Sequence, residues 1–313
     1  MTHLSFGAEN ADLALLRRAA SLGAQTDGEA LRRGLAAGLS YAAAEQQAVA
    51  ARDTAAGAVL SAPNNTLGVQ YLASLAALGS EMQPLAVLRR GGAHDSDAPV
   101  DGLPSASYLR GLLAAGRTED CRALMPAAAF AVLSREIAAG AAPVTRAALD
   151  TALLSHLRRL DAGALAACCG GDAGLASRLA AAVRNGTDFA AVCAAAQTRR
   201  YPLARVRRAL WRAWLGLPQD APVTPAYVRV LAVGAQGRAL LRRMKTRCAL
   251  PVIIKPVAAR GLPAALQPAL ARDALADDLY ALASPDPARR VGGGHFRKTP
   301  FVAGTDEKER ERD

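Results

Sequence analysis

The chain has 313 residues, of which 51% are hydrophobic and only 4% aromatic, and its formal net charge is +11. This length allows two domains with sizeable cores, and the abundance of Ala and Leu favours a mainly helical protein. No apolar run approaches the roughly 20 residues that a membrane helix needs, and no signal peptide is visible at the start, so no membrane partner is expected. The five cysteines include no CxxC pair, which favours reduced thiols in a cytoplasmic protein over disulfides or a metal site.

The first third of the chain has the order of elements that is typical of an α/β domain. The predicted elements are a strand at 3–7, helices at 9–22, 27–37, 42–60 and from 63–68 through 78, a strand at 83–88, a flexible loop at 91–104 and a helix opening at 105–110. Gly7 is predicted to turn the chain after the first strand. In the polar turn at 63–68, Asn is predicted to be the N-cap of the helix that runs through 78.

The remaining chain is predicted to be mostly helical. The pattern is helical from about 119 to 219, with breaks at Gly and Pro residues. Strands are predicted at 227–231 and 251–254, on either side of a helix at 236–247, which gives a small βαβ-like element. The Pro- and Gly-rich, charged segment 286–313 is predicted to be a disordered tail.

The positive charge is concentrated in one block. Between Arg199 and Arg260 there are 14 Lys or Arg residues and one acid, Asp220, whereas the rest of the chain has 24 basic and 26 acidic residues. Such a block is typical of a surface that binds a polyanion. A solvated basic face without a partner is the alternative.

Helical spacing arranges this block in rows. In a helix over 203–214, an apolar face opposes a basic row, and a second basic row follows in the next helix at i, i+4 and i+7. These rows, with Arg200 and an aromatic ring available for stacking, predict an RNA-backbone site. The predicted RNA-binding residues are Arg200, Tyr201, Arg205, Arg208, Arg212, Arg238, Arg242 and Lys245. Trp211 and Trp214 can be either core residues or base-stacking residues.

An ordered series of short motifs resembles one family of enzymes. The motifs are Ser5-Phe6-Gly7-Ala8-Glu9, Pro63-Asn64-Asn65-Thr66-Leu67-Gly68 with Tyr71, Arg89-Arg90 with His94-Asp95, Ser105-Ala106-Ser107-Tyr108-Leu109-Arg110, Arg200-Tyr201 with Arg205 and Arg208, Pro225-x-Tyr227-x-Arg229-Val230-Leu231, and Gly237, Leu240-Leu241 and Leu250-Pro251 with Lys255. Together they resemble the tRNA(Met) cytidine acetate ligase family, which is nucleotidyltransferase-like, over about 1–258.

The resemblance implies an ATP-dependent ligase that acts in tRNA modification. In this chemistry acetate and ATP form acetyl-adenylate, and the acetyl group passes to N4 of the wobble cytidine of elongator tRNA(Met). The resemblance assigns ATP binding, with Mg²⁺, to Gly7, Asn65 and Arg90, and candidate phosphate binding to Ser105, Ser107 and Arg110. Each feature also has a plain structural interpretation, in which Gly7 is a turn, Asn64-Asn65 a helix cap, Ser105 and Ser107 a capping pair, and His94-Asp95 a surface pair.

The sequence departs from the family at its start. These enzymes open with a strand and an H-x-G-H motif, and none of the four histidines, His3, His94, His156 and His295, lies in that arrangement. We therefore expect the enzyme to be truncated or inactive as written, with its catalytic residues unknown. The alternative is a non-catalytic RNA-binding protein derived from the family.

These features give one prediction for the whole chain. The predicted fold is α/β, with part of a Rossmann-like nucleotidyltransferase domain at 1–118, a mainly helical tRNA-binding domain at 119–285 and a disordered tail at 286–313. Its expected partners are ATP, acetate and tRNA, and neither a metal ligand set nor DNA binding is expected.

Overall fold

The computed structural model of the protein describes residues 2–91, 97–221 and 224–303. The chain divides into two compact units, a first unit of Met1–Leu124 with Thr198–Pro202 and a second unit of Met125–Gln197 with Leu203–Asp313. The sequence placed the first boundary six residues earlier, at 118, and did not predict that 198–202 belongs with the first unit.

The first unit is a small parallel sheet with helices. Its elements are β1 (His3–Ala8), α1 (Leu13–Ala24), α2 (Gly28–Ala36), α3 (Tyr41–Ala50), α4 (Thr54–Val59), α5 (Pro63–Ala77), β2 (Gln83–Leu88) and α6 (Ala106–Ala114), followed by a 3-10 segment, Thr118–Leu124. Strands β1 and β2 pair in parallel, with Gly7 opposite Val87. The predicted helix at 42–60 is two helices, because Asp53 caps a new helix by accepting from the Ala56 N–H at 3.0 Å.

One face of the sheet packs against the helices. Phe6 and Ala8 are buried with Leu16, Val69 and other residues of α1 and α5. Because side chains alternate along a strand, Gly7 and Val87 lie on the opposite face, where Val87 is 52% exposed. Gly7 is therefore inside a strand rather than at a turn, which corrects the sequence prediction; the chain turns after Ala8.

The second unit is mainly helical, as predicted. Its helices are α7 (Ala127–Ala138), α8 (Asp150–Arg159), α9 (Ala162–Cys168), α10 (Ala173–Asn185), α11 (Phe189–Ala196), α12 (Leu203–Leu215), α13 (Gly237–Arg247), α14 (Gln267–Ala281) and α15 (Gly294–Arg297). Its strands are β3 (Val228–Arg229), β4 (Ala232–Val233), β5 (Val252–Ile253) and β6 (Phe301–Val302). Parallel pairing of β3 with β5 across α13 confirms the small βαβ-like element, and the α/β fold class is confirmed with it.

The segment 286–303 is ordered, so the prediction of a disordered tail is wrong for these residues. Strand β6 pairs with β4, and His295 is only 1% exposed. The His295 Nδ1 atom lies 2.9 Å from the Asp277 carboxylate and 3.0 Å from Arg229. Glycine and charged residues indicated disorder, but contacts with residues far away in the sequence hold this segment. Residues 304–313 lie outside the described residues.

Tyr227 and Arg229 of the Pro225-x-Tyr227-x-Arg229 motif also contact this region. The Tyr227 hydroxyl donates to Asp273 of α14, and burial together with that carboxylate raises the pKa of Tyr227. The motif therefore has a packing role in holding α14 and α15. Within the described residues, no helix combines the length and apolarity that a membrane span requires.

Candidate nucleotide site and basic surface

The carboxyl end of β1 is tied to the amino end of α5 by Glu9. Its Oε2 accepts from the Asn65 N–H at 2.9 Å, and its Oε1 accepts from Asn64 Nδ2 at 2.6 Å and from the Asn64 N–H at 3.4 Å. The first amides of a helix lack partners within the helix and attract anions. Glu9 supplies that anion from 55 residues away in the chain.

Asn65 lies at the same edge and is only 3% exposed. Its Oδ1 accepts from the Asn10 N–H at 2.9 Å. The predicted capping role is wrong, because Ala62 is the N-cap and Pro63 begins the helix, so Asn64 and Asn65 lie within the first turn. Pro is favoured at that position since it has no N–H to satisfy.

Gly7 lies near the end of β1 and Arg90 just after β2, so both are at the carboxyl edge where Asn65 also lies. A Cβ placed on Gly7 would contact nothing within 4 Å, so the exposed face of the sheet is open there. Arg90 is exposed just after β2, where the Arg89 N–H donates to the Ala8 carbonyl at 2.8 Å. The carboxyl ends of parallel strands are the usual ligand-binding edge of an α/β sheet, so the structure brings the predicted ATP-binding residues to one place.

The amino end of α6 follows a short distance along the chain. Ser105 caps this helix by accepting from the Tyr108 N–H at 3.0 Å, and it is buried. Ser107 Oγ accepts from Arg110 Nη2 at 3.1 Å. A Cβ on Gly91 would lie 3.0 Å from that of Leu103, so the chain entering α6 passes close to the residue after Arg90. The His94-Asp95 pair lies outside the described residues.

The basic row of α12 is partly engaged inside the second unit. Val206, Ala209, Leu210, Ala213 and Trp214 are its buried residues, so the predicted apolar face is confirmed. Arg205 pairs with Asp172 at 2.9 Å, although its side chain is 41% exposed. Arg212 Nη1 donates to the Pro218 carbonyl at 2.7 Å, whereas Arg208 is exposed. Of the three arginines in this row, Arg208 is the most exposed to solvent.

Two of the aromatic residues of this region, Tyr201 and Trp214, are buried. Tyr201, in the first unit, is 5% exposed, with the Arg200 guanidinium 5.4 Å from its ring centroid. Its predicted role in stacking on a base is corrected, because the ring is covered by the protein. Trp214 is 7% exposed and packs edge-on against His156, so its core interpretation is confirmed. Trp211 is partly exposed and packs on Phe189 at 5.1 Å.

Helix α13 presents the second basic row. Arg238, Arg242 and Lys245 are all exposed, and none of the α13 residues that the structure describes is buried. Their spacing places them along one side of the helix. In the described part of the chain, none of these three cations has an acidic partner.

Comparison with known proteins decides the family. The family described as HIGH Nucleotidyl Transferase matches residues 1–293. The chain belongs to this family. It is 26% identical over 96% of its length to the tRNA(Met) cytidine acetate ligase of Acetivibrio thermocellus, covering 76% of that protein. It is 33% identical over 80% of its length to the ligase of the same name from Syntrophotalea carbinolica, covering 61% of it.

A solved structure has the same fold. The crystal structure of Thermotoga maritima TmcAL bound with alpha-thio ATP superimposes with a TM-score of 0.85 at 23% identity, covering 96% of this chain and 76% of that one. At this identity the likeness shows the fold. The resemblance to tRNA(Met) cytidine acetate ligases that the motifs predicted is confirmed by these comparisons.

In this member of the family, sequence reasoning missed the role of Glu9. We predicted it in the first turn of a helix starting at 9, but α1 starts at Leu13 with Asp12 as its cap. The available signal was an acid directly after a strand that ends in small residues. It could not show the partner, because Asn64 and Asn65 reach Glu9 only after α5 packs on the sheet.

The Glu9 interaction predicts an acid-dependent loss of stability. Burial raises the Glu9 pKa, but the hydrogen bonds from Asn64 and Asn65 outweigh it and hold the pKa below its ordinary value of 4.5. A depressed carboxyl pKa stabilises the folded state fully above the unfolded value, and this contribution is lost as pH falls through the folded value. We expect the melting temperature of the chain to fall more steeply below pH 4.5 than that of Glu9→Gln. Parallel melting curves for the two proteins down to acid unfolding would contradict this.

A second prediction concerns Asp172, which caps α10 and also forms an ion pair. Asp172 accepts from the Leu175 N–H at 2.9 Å and also pairs with Arg205. Asp172→Ala should lower the free energy of unfolding by about 1–2 kcal/mol, because it removes the helix cap. Asp172→Asn keeps the capping oxygen and should cost less than about 1 kcal/mol, as partly exposed ion pairs contribute little. Urea unfolding measures both, and equal losses would contradict the assignment to the cap.

Proposed function

We propose that the chain is an ATP-dependent ligase of tRNA modification. In the proposed reaction a carboxylate oxygen of acetate attacks the α-phosphorus of ATP, releasing pyrophosphate and forming acetyl-adenylate. The N4 amine of the wobble cytidine of elongator tRNA(Met) then attacks the acetyl carbonyl, AMP leaves, and the amine loses a proton. We place this activity in the cytoplasm, with tRNA as the nucleic-acid partner. The alternative is a non-catalytic RNA-binding protein derived from the same family.

The observation that carries the proposal is that Gly7 and Arg90 lie at the carboxyl ends of β1 and β2, where Asn65 is bonded to Asn10 just after β1. Gly7 leaves the sheet face open for close approach, and Asn65 offers a buried amide. Arg90 is exposed after β2 and carries a fork of donors suited to a phosphate. Family membership supports ATP as the nucleotide. We assign Ser105, Ser107 and Arg110 to the phosphate end of the site, near the chain that follows Arg90.

Mg²⁺ fits this site as an ion that arrives with ATP. Within the described residues, no group of three acidic, His or Cys side chains is placed to hold a metal ion. Mg²⁺ often keeps several waters and is bound through substrate phosphates with one or two carboxylates. The ion would neutralise phosphate charge there, while Arg90 and the α6 amides hold the remaining oxygens.

For the RNA we propose contacts along α13 and at Arg208 in the second unit, and Arg200 of the first unit is a separate predicted contact. Arg238, Arg242 and Lys245 are exposed on one side of a helix that buries none of its described residues. An exposed row of cations on one side of a helix suits the phosphate backbone of RNA. Arg205 and Arg212 are expected to contribute less, because each already has an intramolecular partner.

One pair of assays tests the proposal and its alternative. Acetate-dependent exchange of pyrophosphate into ATP reports adenylation, and filter binding of tRNA(Met) across a salt series reports the RNA contact, whose affinity should fall steeply with salt. Activity in both assays supports the ligase. Salt-dependent binding without exchange supports the non-catalytic alternative, and salt-independent or absent binding without exchange rejects both.

A further inference from the structure

The amino end of α5 is already occupied by a carboxylate of the protein itself. Both Glu9 oxygens accept from Asn64 or Asn65, at 2.6 and 2.9 Å. The free amides of a helix start would otherwise favour a phosphate. With Glu9 there, a phosphate would meet a negative charge instead, so this corner of the site suits an uncharged part of the nucleotide.

The same contacts determine which way the Asn65 amide faces. The Asn10 N–H can only donate, so the side-chain atom 2.9 Å from it is the oxygen of Asn65. The NH₂ group therefore points elsewhere, and among the described residues it has no acceptor. The residue is 97% covered, but its NH₂ group keeps some contact with solvent, so this donor is open to a ligand. A ligand acceptor atom would satisfy it.

We propose that Glu9 is a positioning residue that holds Asn65 so that its Nδ2 donates to a base nitrogen or ribose oxygen of the nucleotide. This inference rests on the proposed ATP-binding function. Glu9 acts through Asn65 without touching the ligand: it anchors the backbone N–H of Asn65 and the side chain of its neighbour Asn64. The phosphates then lie towards Arg90 and the start of α6, away from the Glu9 carboxylate.

Nuclear magnetic resonance of the unsubstituted chain tests where the Asn65 amide donates. The probes are ATP, adenosine and inorganic tripolyphosphate, each titrated into ¹⁵N-labelled protein with the Asn65 side-chain NH₂ signals assigned. We expect these signals to move with ATP and with adenosine and to stay in place with tripolyphosphate. Movement with tripolyphosphate but not adenosine would overturn the proposal, as would no movement with ATP.

Calorimetry tests the positioning role of Glu9. In Glu9→Gln the amide cannot accept from both donors, and we expect affinity for ATP and adenosine to fall about tenfold or more, the effect of one hydrogen bond to a charged group. Affinity for tripolyphosphate should be unchanged or higher, because a negative charge is removed. General damage to the fold would weaken all three probes together, and that result would overturn the specific role.

A matched control is Glu45→Gln, which removes a carboxylate of α3 in the same unit. We expect its affinity for all three probes to match that of the unsubstituted chain. Full ATP affinity in Glu9→Gln would overturn this inference alone. Failure of the unsubstituted chain to bind ATP would overturn the proposed function together with it.

Discussion

Replacing Arg238, Arg242 and Lys245 together with alanine is expected to weaken binding of tRNA(Met) roughly a hundredfold, at about 1 kcal/mol per lost contact to a phosphate. All three side chains are exposed along one side of α13. The logarithmic salt dependence of binding should become shallower by about 2–3, because fewer counterions are released. Filter binding from low to moderate salt measures both quantities. The fold should be unaffected, since alanine favours a helix.

The matched control removes the same amount of charge elsewhere. Arg117, Arg122 and Arg135 are exposed arginines that pair with acids within three residues of them in the sequence. Their triple alanine variant has the same net charge as the α13 variant, and we expect its affinity and salt dependence to stay near those of the unsubstituted chain. Equal losses in the two variants would mean that net charge, rather than α13, governs the binding.

The second large effect is expected from Gly68→Val in the first unit. A Cβ at Gly68 would lie 2.6 Å from Cε2 of Phe6, closer than real Cβ contacts. Phe6 cannot yield easily, because it is buried and packs edge-on against Tyr71 at 5.9 Å. Overpacking of this kind costs about 1–3 kcal/mol. Urea unfolding should show that loss, and calorimetry should show weaker ATP binding, because α5 also carries Asn65.

Gly111→Val is the matched control for this prediction. Gly111 lies in α6, is exposed, and a Cβ there would contact nothing within 4 Å. We expect the same substitution at this position to change the free energy of unfolding by less than about 0.5 kcal/mol, as is usual at exposed sites. A loss at Gly111 as large as that at Gly68 would show that the valine itself, rather than close packing on Phe6, destabilises the helix.

The Gly68 contact also explains part of the Pro-Asn-Asn-Thr-Leu-Gly motif. Sequence reasoning placed this motif at a helix start, and α5 does begin at Pro63. The glycine itself received no role, because a glycine inside a helix reads only as a weak point. Its reason appears once Phe6, 62 residues earlier, lies against it.

Much of the candidate nucleotide site could be predicted from the sequence. The first strand, predicted one residue shorter than it is, the strand ending at Leu88 and the helix starting near Asn65 are all local signals, and parallel pairing brings the two strand ends together. What could not be predicted was the Glu9 network, because it joins residues 55 and 56 positions apart.

The basic block shows the same difference between features that neighbouring residues predict and contacts between distant residues. Its charge and its helical rows are properties of neighbouring residues, and the exposed row of α13 agrees with them. The partner of Arg205, the burial of Tyr201 and the order of 286–303 do not follow from neighbours. The first depends on Asp172, which packing brings to Arg205, and the last on Asp277 and Arg229, which packing brings to His295.

By itself, the sequence determined the α/β class, the βαβ-like element, the position of the basic block and the residues at the carboxyl edge of the sheet. Periodicity, capping and charge act between residues within a turn or two of each other, so they can be read along the chain. Only the tertiary structure decided which polar groups face one another: Glu9 with Asn64 and Asn65, Asn10 with Asn65, and Asp172 with Arg205. Hydrogen bonds and ion pairs act over about 3 Å, and only packing brings residues so distant in sequence to that separation.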